Sequence, residues 1–160
     1  MSQSYDINAL LRQTIELARQ TMHANEGGPF GAIVTRDGAI IGQSGNRVIA
    51  KPDPTAHAEV EAIRAASQYL NTFNLSGCEL WSSCQPCPMC LGAIYWARID
   101  HVYYAAAHSD AAQVGFDDKW IYHELAKSEP ERTLKMEQHL RDEGDALFQE
   151  WAQKSDKQTY

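Results

Sequence analysis

The stretch CELWSSCQPCPMCLGAIYWARIDHVYYAA, residues 78–106, decides the fold. Residues 78–83 read as a buried strand and residues 101–106 as another. Between them residues 88–97 form a short helix opened by Pro88, whose fixed φ and missing N–H suit a first helical turn. Strand, helix and strand in succession predict an α/β sheet with helices on both faces.

The flanks extend this pattern. Asp6 is placed to cap a helix in which Ile7, Leu10, Leu11, Thr14, Ile15, Ala18 and Met22 recur at helical spacing. Glu26-Gly27-Gly28-Pro29 ends it. Residues 30–36 and 39–48 read as two strands joined at Asp37-Gly38, a dipeptide that supplies the positive φ angles of a tight hairpin. After the rigid Lys51-Pro52-Asp53-Pro54, residues 55–70 are rich in Ala and Glu and predict a helix with Val60, Ile63 and Leu70 on its apolar stripe. Towards the C-terminus, residues 119–127 and 142–153 predict helices and residues 133–138 a strand, followed by a polar tail that finishes on an aromatic residue, Tyr160.

The chain has 160 residues, the length of one domain with a core of its own. With 21 acidic and 14 basic residues its net charge is -7, so it lacks the overall basic field that attracts a phosphate backbone. That argues against a nucleic-acid partner. No apolar run approaches the roughly 18 residues of a membrane span, and the N-terminal residues lack the pattern of a signal peptide. The expected location is cytoplasmic, where four cysteines within thirteen positions, Cys78, Cys84, Cys87 and Cys90, point to metal or thiol chemistry rather than disulfides.

Two motifs carry that chemistry. His57-Ala58-Glu59 opens one helix, and thirty residues later Pro86-Cys87-Pro88-Met89-Cys90 opens another. Pro88 in the first turn leaves Cys87 at the helix cap and Cys90 one turn on, so both sulfurs converge on one point. The free N–H groups there favour thiolate. His57, Cys87 and Cys90 then supply three ligands to a zinc ion and leave a fourth position open, as in a catalytic site. Cys84 is the competing ligand, because Cys84-Gln85-Pro86-Cys87 also has two-residue spacing and would close the site into a structural one. Strand alternation turns Cys84, like Cys78, into the core instead.

Glu59 fits the open site as a neighbouring carboxylate that is not a ligand. In a regular helix it would project about 200° from His57, so the pair share a site only if His57 lies in an irregular first turn. In that role Glu59 takes a proton from the water that zinc activates, passes it to a ring nitrogen and protonates a departing amine.

Together the His-x-Glu and Pro-Cys-x-x-Cys motifs resemble those of zinc-dependent deaminases. The resemblance extends over Gly27-Gly28-Pro29-Phe30-Gly31-Ala32, Gly45-Asn46-Arg47-Val48, Thr55-Ala56-His57-Ala58-Glu59, Cys84 to Cys90 and Gly115-Phe116-Asp117-Asp118, and it is a resemblance to the cytidine deaminase superfamily. Gln85 departs from the glutamate common there. The Phe-Asp-Asp segment and the aromatic C-terminus are similar to those of the branch acting on guanine. The resemblance implies a three-layer α/β/α fold with a mixed five-stranded sheet, one Zn2+ per subunit, and deamination of guanine to xanthine and ammonia. It also implies a homodimer in which the C-terminal segment, about residues 140–160, is exchanged and Tyr160 closes the partner's site.

The substrate residues it implies are Phe30, Asn46, Ala58, Trp96, Asp118 and Tyr160, with Glu124 as a further carboxylate. Chemistry agrees for several: Phe30 can stack on a purine, Asn46 can donate and accept along a ring edge, and Asp118 can accept from N–H groups. Each also has a plainer reading. Phe30 and Trp96 fit a core, Asn46 a turn, Asp118 a helix cap, and Glu124 a solvated surface. His101, His108, His123 and His139 read as ordinary polar residues. Alternatives that share the zinc motifs are deamination of cytosine, of a triazine or of adenosine in tRNA, and a non-catalytic zinc protein.

Overall fold

Asp6 caps helix α1 (Ile7–His23), its carboxylate accepting from the N–H groups of Asn8 and Ala9 at 3.0 and 3.2 Å. From there the computed structural model describes residues 6–160. They form two units, one ending at Lys119 and one spanning Trp120–Tyr160.

The first unit is built on a mixed sheet. Strands β1 (Gly31–Arg36) and β2 (Ala39–Gly45) form the expected hairpin about Asp37-Gly38, both residues adopting positive φ. β1 also pairs antiparallel with β3 (Cys78–Cys84), and β3 pairs parallel with β4 (His101–Ala106), giving the order β2-β1-β3-β4. Helices α2 (Ala58–Leu70) and α3 (Pro88–Ala97) connect the strands. Small residues let α2 sit close: Ala58, Ala62 and Ala66 pack with Ala32, Val34 and Leu80 of the sheet and with Ile94 and Ala97 of α3. Each fully buried Val or Leu here contributes about 1.5–3 kcal/mol. Ile33, Thr35 and Trp81 alternate onto the face that α1 covers, where the Trp81 indole N–H donates to Thr35 Oγ1 at 2.9 Å and the indole stacks on Tyr103 at 4.1 Å. A short helix α4 (His108–Gln113), which the sequence pattern does not announce, follows β4.

Helix α5 (Asp118–Ala126) leads into the second unit, where a 3-10 turn (Glu129–Glu131) precedes helix α6 (Arg141–Gln153). Leu147, Phe148 and Trp151 of α6 are exposed.

One expectation is corrected. Among the described residues the sheet has four strands, not five, because residues 133–138 form no strand. Leu134 and Met136 alternate with Lys135 and Glu137 as a strand would, but a strand exists only through pairing. Among the described residues no strand pairs with this segment, and the Thr133 N–H donates instead to the Glu124 carboxylate at 2.6 Å. Strand β2 also ends at Gly45 rather than 48, and α2 begins at Ala58 rather than 55. Both shifts free residues for the site.

Candidate metal centre and substrate cleft

His57 is the residue before α2, with φ −68° and ψ 153°, and it makes no side-chain capping bond. This extended geometry removes the 200° conflict with Glu59, since His57 leaves the helical path while Glu59 stays on it. Asp53 sets the approach by accepting from the Thr55 N–H and hydroxyl at 2.8 and 2.7 Å. Cys87 holds the equivalent place before α3, with Pro88 next to it, and its sulfur accepts the Cys90 N–H at 3.5 Å. Two helix starts therefore meet at one point. The His57 Nδ1 lies 3.6 Å from Cys87 Sγ and 3.5 Å from Cys90 Sγ.

These separations test the fit to zinc. Tetrahedral Zn–N and Zn–S bonds of about 2.1 and 2.3 Å set nitrogen and sulfur about 3.6 Å apart, which the cluster satisfies. Among the described residues, His57, Cys87 and Cys90 are the group able to hold a metal ion. Cys84 is not part of it: its buried thiol points toward the Ala107 carbonyl at 3.8 Å, and burial pushes its pKa up to about 11. The Cys84 sulfur thus falls outside the cluster.

Of the two thiols, Cys87 is the more acidic. Hydrogen bonding from Cys90, and then from His57, lowers its pKa to about 4 against the opposing effect of burial, while the same pairing and burial raise Cys90. The Cys87 hydrogen bond likewise raises His57. Glu59, 5% exposed, has its pKa raised chiefly by burial. Its carboxylate accepts from Ser82 Oγ at 3.4 Å and from the Cys90 thiol at 3.5 Å, so it stands beside the metal ligands without being one of them.

The cluster forms one end of a cleft of about 560 Å³, a size suited to a small molecule. Phe30, Asn46, Asp118, His57, Glu59 and Cys87 all line it. Phe30 meets Phe116 edge to face, with ring centroids 5.0 Å apart. Asn46 is buried, and its Oδ1 accepts the Val48 N–H at 3.1 Å, which leaves its Nδ2 donors for the cleft. Gly27 permits this: a Cβ there would lie 2.1 Å from Asn46 Oδ1 and 2.5 Å from its carbonyl oxygen. Asp118 is raised by burial and by the Cys87 charge, with His108 and His57 opposing.

Other residues with an expected role stand elsewhere. Ala58 is fully buried in the core cluster. Trp96 is 67% exposed on α3 and is not among the cleft's lining residues. Glu124 and Tyr160 belong to the second unit. Glu124 is not the solvated residue of the plain reading: it is buried, and Lys127 and the Thr133 N–H lower its pKa to about 2. Gly27, Gly28, Val48, Ile49, Pro54, Gln85 and Phe116 line the cleft without having been assigned a role from sequence. Most lie on loops, where periodicity gives no signal.

Residues 4–106 match the cytidine and deoxycytidylate deaminase zinc-binding region. The chain belongs to this family. Within the cytidine and deoxycytidylate deaminases it is 49% identical over 150 residues to a guanine deaminase of Bacillus subtilis, covering 94% of this chain and 96% of that one. The X-ray structure of guanine deaminase from Bacillus subtilis superposes with a TM-score of 0.94 and 47% identity, over 98% and 99% of the two chains. A tRNA-specific adenosine deaminase of Aquifex aeolicus is 40% identical over 106 residues, 66% of this chain and 67% of the relative. The chain thus carries a zinc-binding deaminase domain with an α/β cytidine deaminase-like fold and a His/Cys/Cys cluster able to hold one metal ion.

Proposed function

We propose that the chain is a guanine deaminase that hydrolyses guanine to xanthine and ammonia. The observation that carries this reading is the match to the Bacillus subtilis guanine deaminase along nearly the whole of both chains, whereas the tRNA deaminase match covers two thirds. When bound, zinc lowers the pKa of a coordinated water to about 7 and so supplies the nucleophile. Glu59 takes one proton from the attacking water and delivers it to a purine ring nitrogen, then takes the proton of the new C–OH group and passes it to the amine, so that the C–N bond breaks as the carbonyl forms and ammonia leaves. Burial supports this use, because a carboxyl whose pKa is raised accepts and releases protons nearer neutrality. Phe30 stacks on the purine face, Asn46 Nδ2 donates to a ring acceptor, and Asp118 accepts from an N–H group.

The same reading makes the chain one deaminase domain acting as a homodimer in cytoplasmic purine catabolism, with about residues 140–160 exchanged and Tyr160 closing the partner's cleft. The exposed Leu147, Phe148 and Trp151 of α6 support an exchanged helix that needs a cover, and four free cysteines suit a reducing compartment.

Ammonia release by zinc-loaded protein, measured in parallel on guanine, adenine, cytosine, cytidine and tRNA, tests the activity. Turnover of guanine with xanthine as product is the expected result; turnover of another substrate alone overturns the assignment. Light scattering tests the dimer, and deletion of residues 155–160 tests the lid. A fully active truncation refutes the role of Tyr160.

A further inference from the structure

His108 reads as an unremarkable polar residue in the sequence, yet the structure builds a support around it. The Gln85 N–H donates to the Ala106 carbonyl at 2.8 Å, and the Cys84 thiol points at the Ala107 carbonyl at 3.8 Å. The Ala107 N–H donates to Asp110 Oδ2 at 2.8 Å, and the His108 N–H donates to Gln85 Oε1 at 3.5 Å. Residues 106–108 are in this way fastened to the segment that leads into Cys87. The His108 ring is only 16% exposed, and its Nδ1 lies 3.8 Å from Oδ2 of Asp118, itself 22% exposed.

Asp118 is the first residue of α5, and its N–H donates to the Phe116 carbonyl at 3.2 Å. It follows a loop that turns at Gly115, where φ is +98°, a conformation that strains any residue with a Cβ. Burial and the neighbouring Cys87 raise the Asp118 pKa, and His108 and His57 oppose that rise. Of these, His108 has its Nδ1 3.8 Å from the carboxylate and is not among the residues lining the cleft.

We propose that His108 is a positioning residue for substrate recognition: its imidazole pairs with the Asp118 carboxylate and holds it at the cleft wall, acting on the purine only through Asp118. The inference deepens the reading of Asp118 as a substrate acceptor and rests on it. It also ties the loop after β3, which sets Cys87, to the group that orients the purine, so that ligand and acceptor are kept in register.

A kinetic double-mutant cycle on the zinc-loaded protein tests it, with His108→Ala, Asp118→Asn and the double variant assayed on guanine. His108→Ala should raise KM about 5- to 20-fold, within the span of contact pairs, and leave kcat within about threefold, with zinc content and melting temperature unchanged. In the Asp118→Asn background the same substitution should change KM less than twofold. An undiminished KM effect in that background overturns the inference while leaving the role of Asp118 intact, and so does a loss confined to kcat. If Asp118→Asn alone leaves KM unchanged, the reading of Asp118 fails and this inference with it. Should His108→Ala not fold, His108→Asn carries the cycle and is judged by the same outcomes.

Discussion

Replacing Glu59 with glutamine separates chemistry from stability in one protein. Glutamine keeps the shape of the side chain and a carbonyl oxygen for Ser82, but it cannot carry a proton between water and substrate. Loss of a positioned acid/base costs about 100- to 10,000-fold in rate, and zinc should remain at one per chain because Glu59 is not in the ligand set. Stability should move the other way. Burial raises the folded-state pKa of Glu59 above its ordinary 4.5. For an acid this means that stability is withdrawn as pH climbs from the unfolded pKa through the folded one, and stays withdrawn above it. Each unit of elevation is worth about 1.4 kcal/mol, or roughly 3–6 °C in Tm for a chain of this size. Metal-free Glu59→Gln should therefore melt higher than its parent at pH 8, with the gap closing toward pH 4. Calorimetry of the metal-free proteins and steady-state ammonia release from the zinc-loaded ones measure the two effects. A kcat within tenfold of the parent, or a metal-free variant that melts lower at pH 8, would refute this account of Glu59.

Three other substitutions probe the frame around it. Cys84→Ser should retain a full zinc complement by atomic absorption while Cys87→Ser loses it; zinc loss from the first would contradict the open site. Gly27→Ala forces Asn46 aside and should raise KM for guanine about 3- to 10-fold, the worth of one hydrogen bond, with unchanged zinc content; an unaltered KM removes Asn46 from recognition. Thr35→Val leaves the buried Trp81 indole N–H without its Thr35 acceptor and should cost about 1–3 kcal/mol, read by denaturant unfolding. A variant as stable as the parent would show that the indole finds another partner.

Much of the metal centre was legible because the chemistry there is local in the chain. Pro88 beside Cys87, and Cys90 one turn later, specify a helix start that points two sulfurs at one place, and the structure departs from that reading nowhere. His57 and Glu59 were legible only as a conditional: two residues apart they conflict on a helix, and the conflict vanishes because α2 begins at Ala58, with His57 in extended backbone. The hairpin at Asp37-Gly38 was equally clear from its turn chemistry. What could not be read was whatever depends on contacts distant in sequence. His108 has no motif; its pairing with Asp118 comes from where β4 ends and where the Gly115 loop returns. Residues 133–138 alternate like a strand, and alternation reports a face rather than a partner. Glu124 looks like a solvated helix residue until the Thr133 N–H folds back onto its carboxylate.

The position of β4 at the margin of the sheet bears on how such enzymes diversify. The stretch shared with the wider family stops at residue 106, where this strand ends, and by then both helix starts, the proton carrier and Asn46 are already in place. Phe116 and Asp118 come afterwards, on chain that leaves β4, the edge strand of the sheet among the described residues. The cleft is thus lined from both passages, with Phe30 and Asn46 inside the shared stretch and Phe116 and Asp118 beyond it. Changes beyond β4 can therefore reshape the cleft wall at Phe116 and Asp118 while His57, Cys87, Cys90 and the Phe30 and Asn46 contacts stay as they are.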